Sequence, residues 1–191
     1  SYMQPLYLQY LRSERDYQVG MHEQRLRIVN KFPMVTGHSM SEKEVANGPG
    51  NDVYFKGSHI LHTLRGQIGD DAFFKAVRLL IYGRNDPKPG NFSPRYSTTK
   101  EFIQIVNQVT KKEWNWFFKG YLMHAALPEL RSTREGNTLK LAWKLPDGSA
   151  FSLPVEVSVN NKIVRVAMEK GQGQIQLPAH ATFTIDPAAK L

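Results

Sequence analysis

A chain of 191 residues, 41% hydrophobic and 22% charged, buries a real core, which excludes a disordered tract or a fibrous repeat. It has no cysteine, so a disulfide scaffold, a thiolate metal site and a cysteine nucleophile are excluded as well. The net charge of +8 is spread along the chain, 17 basic and 11 acidic residues over 1–125 and 8 and 6 over 126–191, without the clustered footprint that nucleic-acid binding needs.

Taken in chain order, the apolar spacing is first helical. Leu6, Tyr10 and Tyr17 or Val19 fall on one stripe, and a second short helix is expected over Met21 to Phe32, ended by Pro33. Gly37 to Asp52 carries three glycines and a proline and has no periodicity, so it reads as a loop. Ile60, Leu61, Leu64 and Ile68 recur at the three-and-four spacing of one buried helix face. Gly69 ends that helix, and Asp70 or Asp71 is the expected cap of the next, whose apolar positions are Phe73, Phe74, Val77, Leu80 and Ile81. A turn-rich loop, Gly83 to Asn91, follows. Thr98 and Glu101 match a capping box ahead of Phe102, Ile105, Val106 and Val109. A last aromatic helix, Trp114 to His124, stops before Pro128.

After Pro128 the period becomes two. Leu139, Leu141, Trp143 and Leu145 alternate with polar partners, and Pro146-Asp147-Gly148 makes a turn. Val155, Val157 and Val159 come next, then Asn160-Asn161 as a two-residue hairpin turn, then Val164, Val166 and Met168. Ile175 with Leu177 and Phe183 with Ile185 complete five expected strands of a small antiparallel sandwich. Alternation places Leu139, Leu141, Trp143, Val155, Val157, Val159, Val164 and Val166 inward. The fold class is therefore α then β, with a domain boundary expected near 126–131.

Most apparent chemistry dissolves on inspection. His22-Glu23-Gln24-Arg25-Leu26 has the start of a zinc-protease helix, but Leu26 stands where the second histidine must be. His59 and His62 share a helix face, yet no third ligand has matching spacing, so packing or solvent contact is the better reading. Gly48-Pro49-Gly50 is followed by no Lys-Ser or Lys-Thr, so no phosphate cradle is indicated. The aromatic run Trp114, Trp116, Phe117, Phe118 and Tyr121 reads as core.

One stretch carries more. Asn51-Asp52-Val53-Tyr54-Phe55-Lys56-Gly57-Ser58-His59-Ile60-Leu61-His62-Thr63-Leu64-Arg65 closely resembles the V-Y-x-K-G-[AS]-x-x-L-x-x-L-R segment of the zinc aminopeptidases of the alanyl aminopeptidase type, gluzincins that include the leukotriene hydrolases. Ile68-Gly69-Asp70-Asp71-Ala72-Phe73-Phe74 is similar to the family's L-G-D-x-x-F, and Thr98-Thr99-Lys100-Glu101-Phe102 to its T-x-x-D-F. Trp114 to Leu122, with Leu127-Pro128-Glu129-Leu130, resembles the ending L-x-W-F-F-x-x-W-L…G-x-P-x-L. Departures are Tyr121 where Trp is usual and Ala126 or Leu127 where Gly is usual. Ser1-Tyr2-Met3 fits the residues after the family's third zinc ligand, in an E-G-F-x-x-Y-M context.

The resemblance implies the helical C-terminal half of a thermolysin-like catalytic domain over 1–127, then a β-sandwich over 128–191. It implies Zn²⁺ in a longer parent, on ligands upstream of Ser1, with none expected in this chain, and an isolated chain without activity. An opening that lacks an initiator Met and starts inside an apolar pattern fits a piece cut from something larger. The implied parent removes N-terminal residues from peptides. Tyr54 matches the tyrosine whose phenol donates to the oxyanion; Lys56 has no role readable from sequence, and an ion pair within the fold is the default for Arg65. The competing class is a non-catalytic peptide- or protein-interaction module. No nucleic acid is expected, because the charge is spread along the chain, and no membrane span, since no apolar run nears ~20 residues. Cytoplasmic and exported locations both remain compatible.

Overall fold

The structure, a computed structural model, describes residues 1–191. Helices fill the N-terminal half: α1 (Met3–Leu11), α2 (Glu14–Arg25), α3 (Glu42–Asn47), α4 (Phe55–Ile68), α5 (Asp70–Tyr82), α6 (Thr99–Thr110) and α7 (Asn115–Leu122), with a 3₁₀ turn over Gly50–Val53 before α4. Antiparallel strands follow: β1 (Glu129–Glu135), β2 (Thr138–Lys144), β3 (Val155–Val159), β4 (Lys162–Val166), β5 (Gln172–Gln176) and β6 (Phe183–Ile185). No helix is long and apolar enough to cross a membrane.

The expected helix over Met21 to Phe32 is corrected: α2 starts seven residues earlier and ends at Arg25. Its start is chemical, because the Ser13 hydroxyl accepts the Asp16 amide at 3.1 Å while Glu14 and Asp16 sit in the first turn. Its early end is tertiary. The Asp52 carboxylate takes the amides of Val29 and Asn30, at 2.8 and 2.7 Å, and Asn30 turns to φ 56°. The stripe through Tyr10 is also corrected, since Tyr10 is 86% exposed while Tyr17 is buried. In the stretch expected to be a loop, Ser41 and Glu44 form a complete capping box that starts α3.

Gly69 carries φ +81° between α4 and α5, a value glycine adopts without strain. Neither Asp70 nor Asp71 caps α5; the Asp70 carboxylate holds Arg65 through two bonds of 2.7 and 2.8 Å. At α6 half of the expected box forms. Thr98 accepts the Glu101 amide at 3.1 Å, whereas the Glu101 side chain pairs with Arg95.

The strands make two three-stranded sheets, ordered β1-β2-β5 and β4-β3-β6. Strand β1 is additional to the five expected: it pairs with β2 from Glu129↔Lys144 to Glu135↔Thr138, but apart from Leu130 its residues are exposed, so it shows no alternation. Asn160 and Asn161 both take positive φ, 47° and 65°, as the β3–β4 hairpin turn requires.

There are two apolar cores. One gathers Tyr17, Leu64, Phe73, Val106 and Phe117 among others, and it reaches forward to Leu145, Phe151 and Leu153. The second lies between the sheets, around Leu139, Leu141, Val155, Val157, Val166 and Met168. Two inward assignments are corrected. Val164 is 40% exposed, on β4 at the edge of its sheet. Trp143 is half-buried and packs against both cores, its indole N–H donating to the Leu153 carbonyl at 2.8 Å.

Candidate functional site

Tyr54 stands at the corner between the 3₁₀ turn and α4, with φ −90° and ψ −57°, its carbonyl accepting the Ser58 amide at 3.0 Å. Its ring is 57% exposed and helps to line a cleft of about 630 Å³. The walls of the cleft are mainly apolar side chains of α1, α4, α5 and α6, including Leu61, Phe74, Val77 and Phe102. Ser58 also lines it, its hydroxyl buried without a hydrogen-bond partner.

The residues on either side of Tyr54 face the opposite way. Asp52 and Lys56 are each 1% exposed. Asp52 holds Val29 and Asn30 as described, and the Lys56 ammonium donates to the carbonyls of His124 and Ala125 at 3.2 and 2.9 Å. Burial lowers the Lys56 pKa and the Asp52 charge works against that shift. Sequence reading left Lys56 without a role and passed over Asp52; the signal available was a pair of opposite charges four apart around an aromatic helix start.

The histidines hold structure. His62 is 5% exposed, and its Nε2 donates to the Ala189 carbonyl at 3.2 Å. That leaves Nδ1 to accept from the Tyr17 hydroxyl at 2.5 Å, and Tyr17 to accept from Tyr2 at 3.1 Å. Burial drives the His62 pKa down to about 4, so the ring is neutral at pH 7; burial likewise raises the Tyr17 pKa. His59 bonds the Met21 carbonyl at 2.8 Å through Nε2. With those nitrogens engaged, the His59–His62 pair presents no ligand set, and nowhere do three His, Asp or Glu side chains converge as a metal site. His22 is exposed, and the aromatic run is core as expected, with Trp114, Phe117, Phe118 and Tyr121 buried. Arg65 makes the expected structural pair, with Asp70, and its guanidinium lies over the rings of Tyr17 and Phe74 at 5.7 and 5.2 Å.

No protein-family model matches the chain, and no curated protein matches it. Among solved structures, aminopeptidase A of Legionella pneumophila, determined in complex with aspartic acid, is similar with a TM-score of 0.59 at 15% identity. The match covers 89% of this chain and 21% of that protein. This chain therefore shares a fold with part of an aminopeptidase and spans about a fifth of that protein's length.

Proposed function

We propose that this chain is the C-terminal part of the catalytic domain, with the following β-sandwich, of a zinc-dependent aminopeptidase of the gluzincin family that removes N-terminal residues from peptides. In this reading 1–127 belongs to the catalytic domain and 128–191 to the sandwich, and the zinc is held by residues outside this chain. The observation that carries the reading is the setting of Tyr54: an exposed phenol at the mouth of an apolar cleft, at a corner held by buried charges, within a fold shared with an aminopeptidase.

The chemistry assigned to Tyr54 follows from what a phenol can do. As a scissile carbonyl turns tetrahedral its oxygen gains negative charge, and a hydroxyl donates to that oxygen without itself having to ionise. A donor that meets the oxygen only at that stage stabilises the transition state and not the bound substrate.

Tyr54→Phe removes one oxygen and keeps the ring. In the full-length protein kcat on aminoacyl nitroanilides is expected to fall about 10²–10³-fold with KM little changed and the metal content intact. Near-normal turnover in a fully metal-loaded variant overturns the assignment. The isolated chain is expected to hold no stoichiometric zinc after dialysis and to cleave no aminoacyl substrate.

The alternative, a non-catalytic interaction module, is favoured by one feature of α1. Met3, Tyr7, Tyr10 and Leu11 form an apolar stripe that is 55–86% exposed. No turnover in the metal-loaded full-length protein, together with loss of a binding partner in Tyr7→Asp, would favour that reading.

A further inference from the structure

We infer that Asp52 and Lys56 are positioning residues for the Tyr54 hydroxyl, an inference that rests on the function proposed for Tyr54.

Geometry comes first. Positions 52 and 56 stand two residues either side of Tyr54, one in the 3₁₀ turn and one in α4, and both are buried while Tyr54 is exposed. Burying both flanking charges therefore forces Tyr54 outward, toward the cleft it lines. The two charges reach different segments. Asp52 takes the amides of Val29 and Asn30 beyond α2, and Lys56 takes the carbonyls of His124 and Ala125 beyond α7. Those two segments are themselves joined, because the Leu122 carbonyl accepts the amides of Met34 and Val35 at 3.0 and 3.1 Å. The result is a loop of backbone closed by hydrogen bonds at three junctions, from Asp52 through 29–35 and 122–125 to Lys56, with the backbone of Tyr54 between its two ends.

Stability alone does not account for this arrangement. Two buried charges bonded only to backbone groups cost desolvation energy that apolar side chains of the same length avoid, so they are a poor source of stability. What it supplies is direction. Charge-assisted bonds hold their partners at fixed angles, which apolar contacts do not. A transition-state donor needs that, because displacing a catalytic group by about 1 Å can cost up to ~10²-fold in rate.

The test is a double-mutant cycle in the full-length protein, read as kcat and KM per folded, metal-loaded molecule. Lys56→Met keeps the stem and removes the ammonium; Asp52→Asn keeps the shape and removes the charge. Either change alone is expected to lower kcat about 10–10²-fold with KM within about twofold. In the Tyr54→Phe background the same change is expected to cost nothing further in kcat, since no hydroxyl remains to be placed. Lys56→Arg, which restores donors, is expected to recover part of the loss.

Equal losses in both backgrounds would show a purely structural role and overturn the inference, as would unchanged kcat in both single variants. Normal turnover in Tyr54→Phe alone would instead remove the function proposed for Tyr54, an outcome the cycle separates from the other two. If Lys56→Met does not fold, Asp52→Asn carries the same comparison.

Discussion

Trp143 shows how one side chain can serve two cores. Its ring meets Phe151 edge-on, at a centroid distance of 5.3 Å, and its N–H satisfies the carbonyl of the fully buried Leu153. Trp143→Phe keeps most of the apolar contact but leaves that carbonyl without its donor. A buried acceptor that loses its partner costs about 1–3 kcal/mol, and urea unfolding should show a loss of that size. A change below 0.5 kcal/mol, read with the ~1 kcal/mol scale of a net hydrogen bond, would mean that water replaces the indole. Trp143→Ala also loses the ring and is expected to cost more, about 3–5 kcal/mol as for other large aromatic truncations.

At the scale of elements, α7 is seated by a glycine. A Cβ on Gly120 would stand 2.7 and 3.0 Å from two ring carbons of Phe151. That ring cannot retreat, being 0% exposed and in edge contact with Trp116, Tyr121 and Trp143 at 5.2–5.4 Å. Gly120→Ala has opposing terms: alanine gains about 1 kcal/mol of helix propensity, while overpacking costs about 1–3 kcal/mol. With three aromatic rings packed around Phe151 the steric cost should win, and the melting temperature should fall. A rise would show that the α7 contact with Phe151 is loose. The same contact explains why the helical core extends to residues 145–153, past the first strands.

At the scale of the whole molecule, the segment after β6 is tied back to α4 and to β3. Ala189 accepts from His62, the Asp186 carboxylate holds the amides of Lys190 and Leu191 at 2.9 and 3.0 Å, and Lys190 pairs with Glu156 at 3.0 Å. His62 makes this junction sensitive to acid. Its pKa is about 4 when folded, against 6.5 for a free histidine, so between those values the unfolded chain binds more protons. Stability therefore rises with pH through that window and is lost as pH falls from 6.5 to 4, on the order of 3 kcal/mol at 1.36 kcal/mol per pKa unit. His59, whose pKa is lowered by burial, adds in the same direction. Denaturant unfolding from pH 4 to 7 should show the slope, and His62→Leu should be less stable at pH 7 and flatter across the range. An unchanged slope in His62→Leu would place the acid sensitivity elsewhere.

Local pattern was enough for several features. Three-and-four spacing marks α4, α5 and α6, Thr98 marks the start of α6, and Asn160-Asn161 marks a hairpin, because each depends on residues adjacent in the chain. Period-two alternation likewise marks β2 and β3, which lie at the centres of their sheets. Tyr54 and Lys56 stand out in the sequence only through a resemblance to a family segment. What tertiary structure alone decided depends on partners far along the chain. Asp52 ends the preceding helical stretch from 22 residues away, Lys56 finds its carbonyls 69 residues on, and His62 finds Ala189 at a separation of 127. Strand β1 and exposed Val164 belong with them, since an edge strand is covered on one side only and its neighbours, not its own alternation, determine which residues are buried.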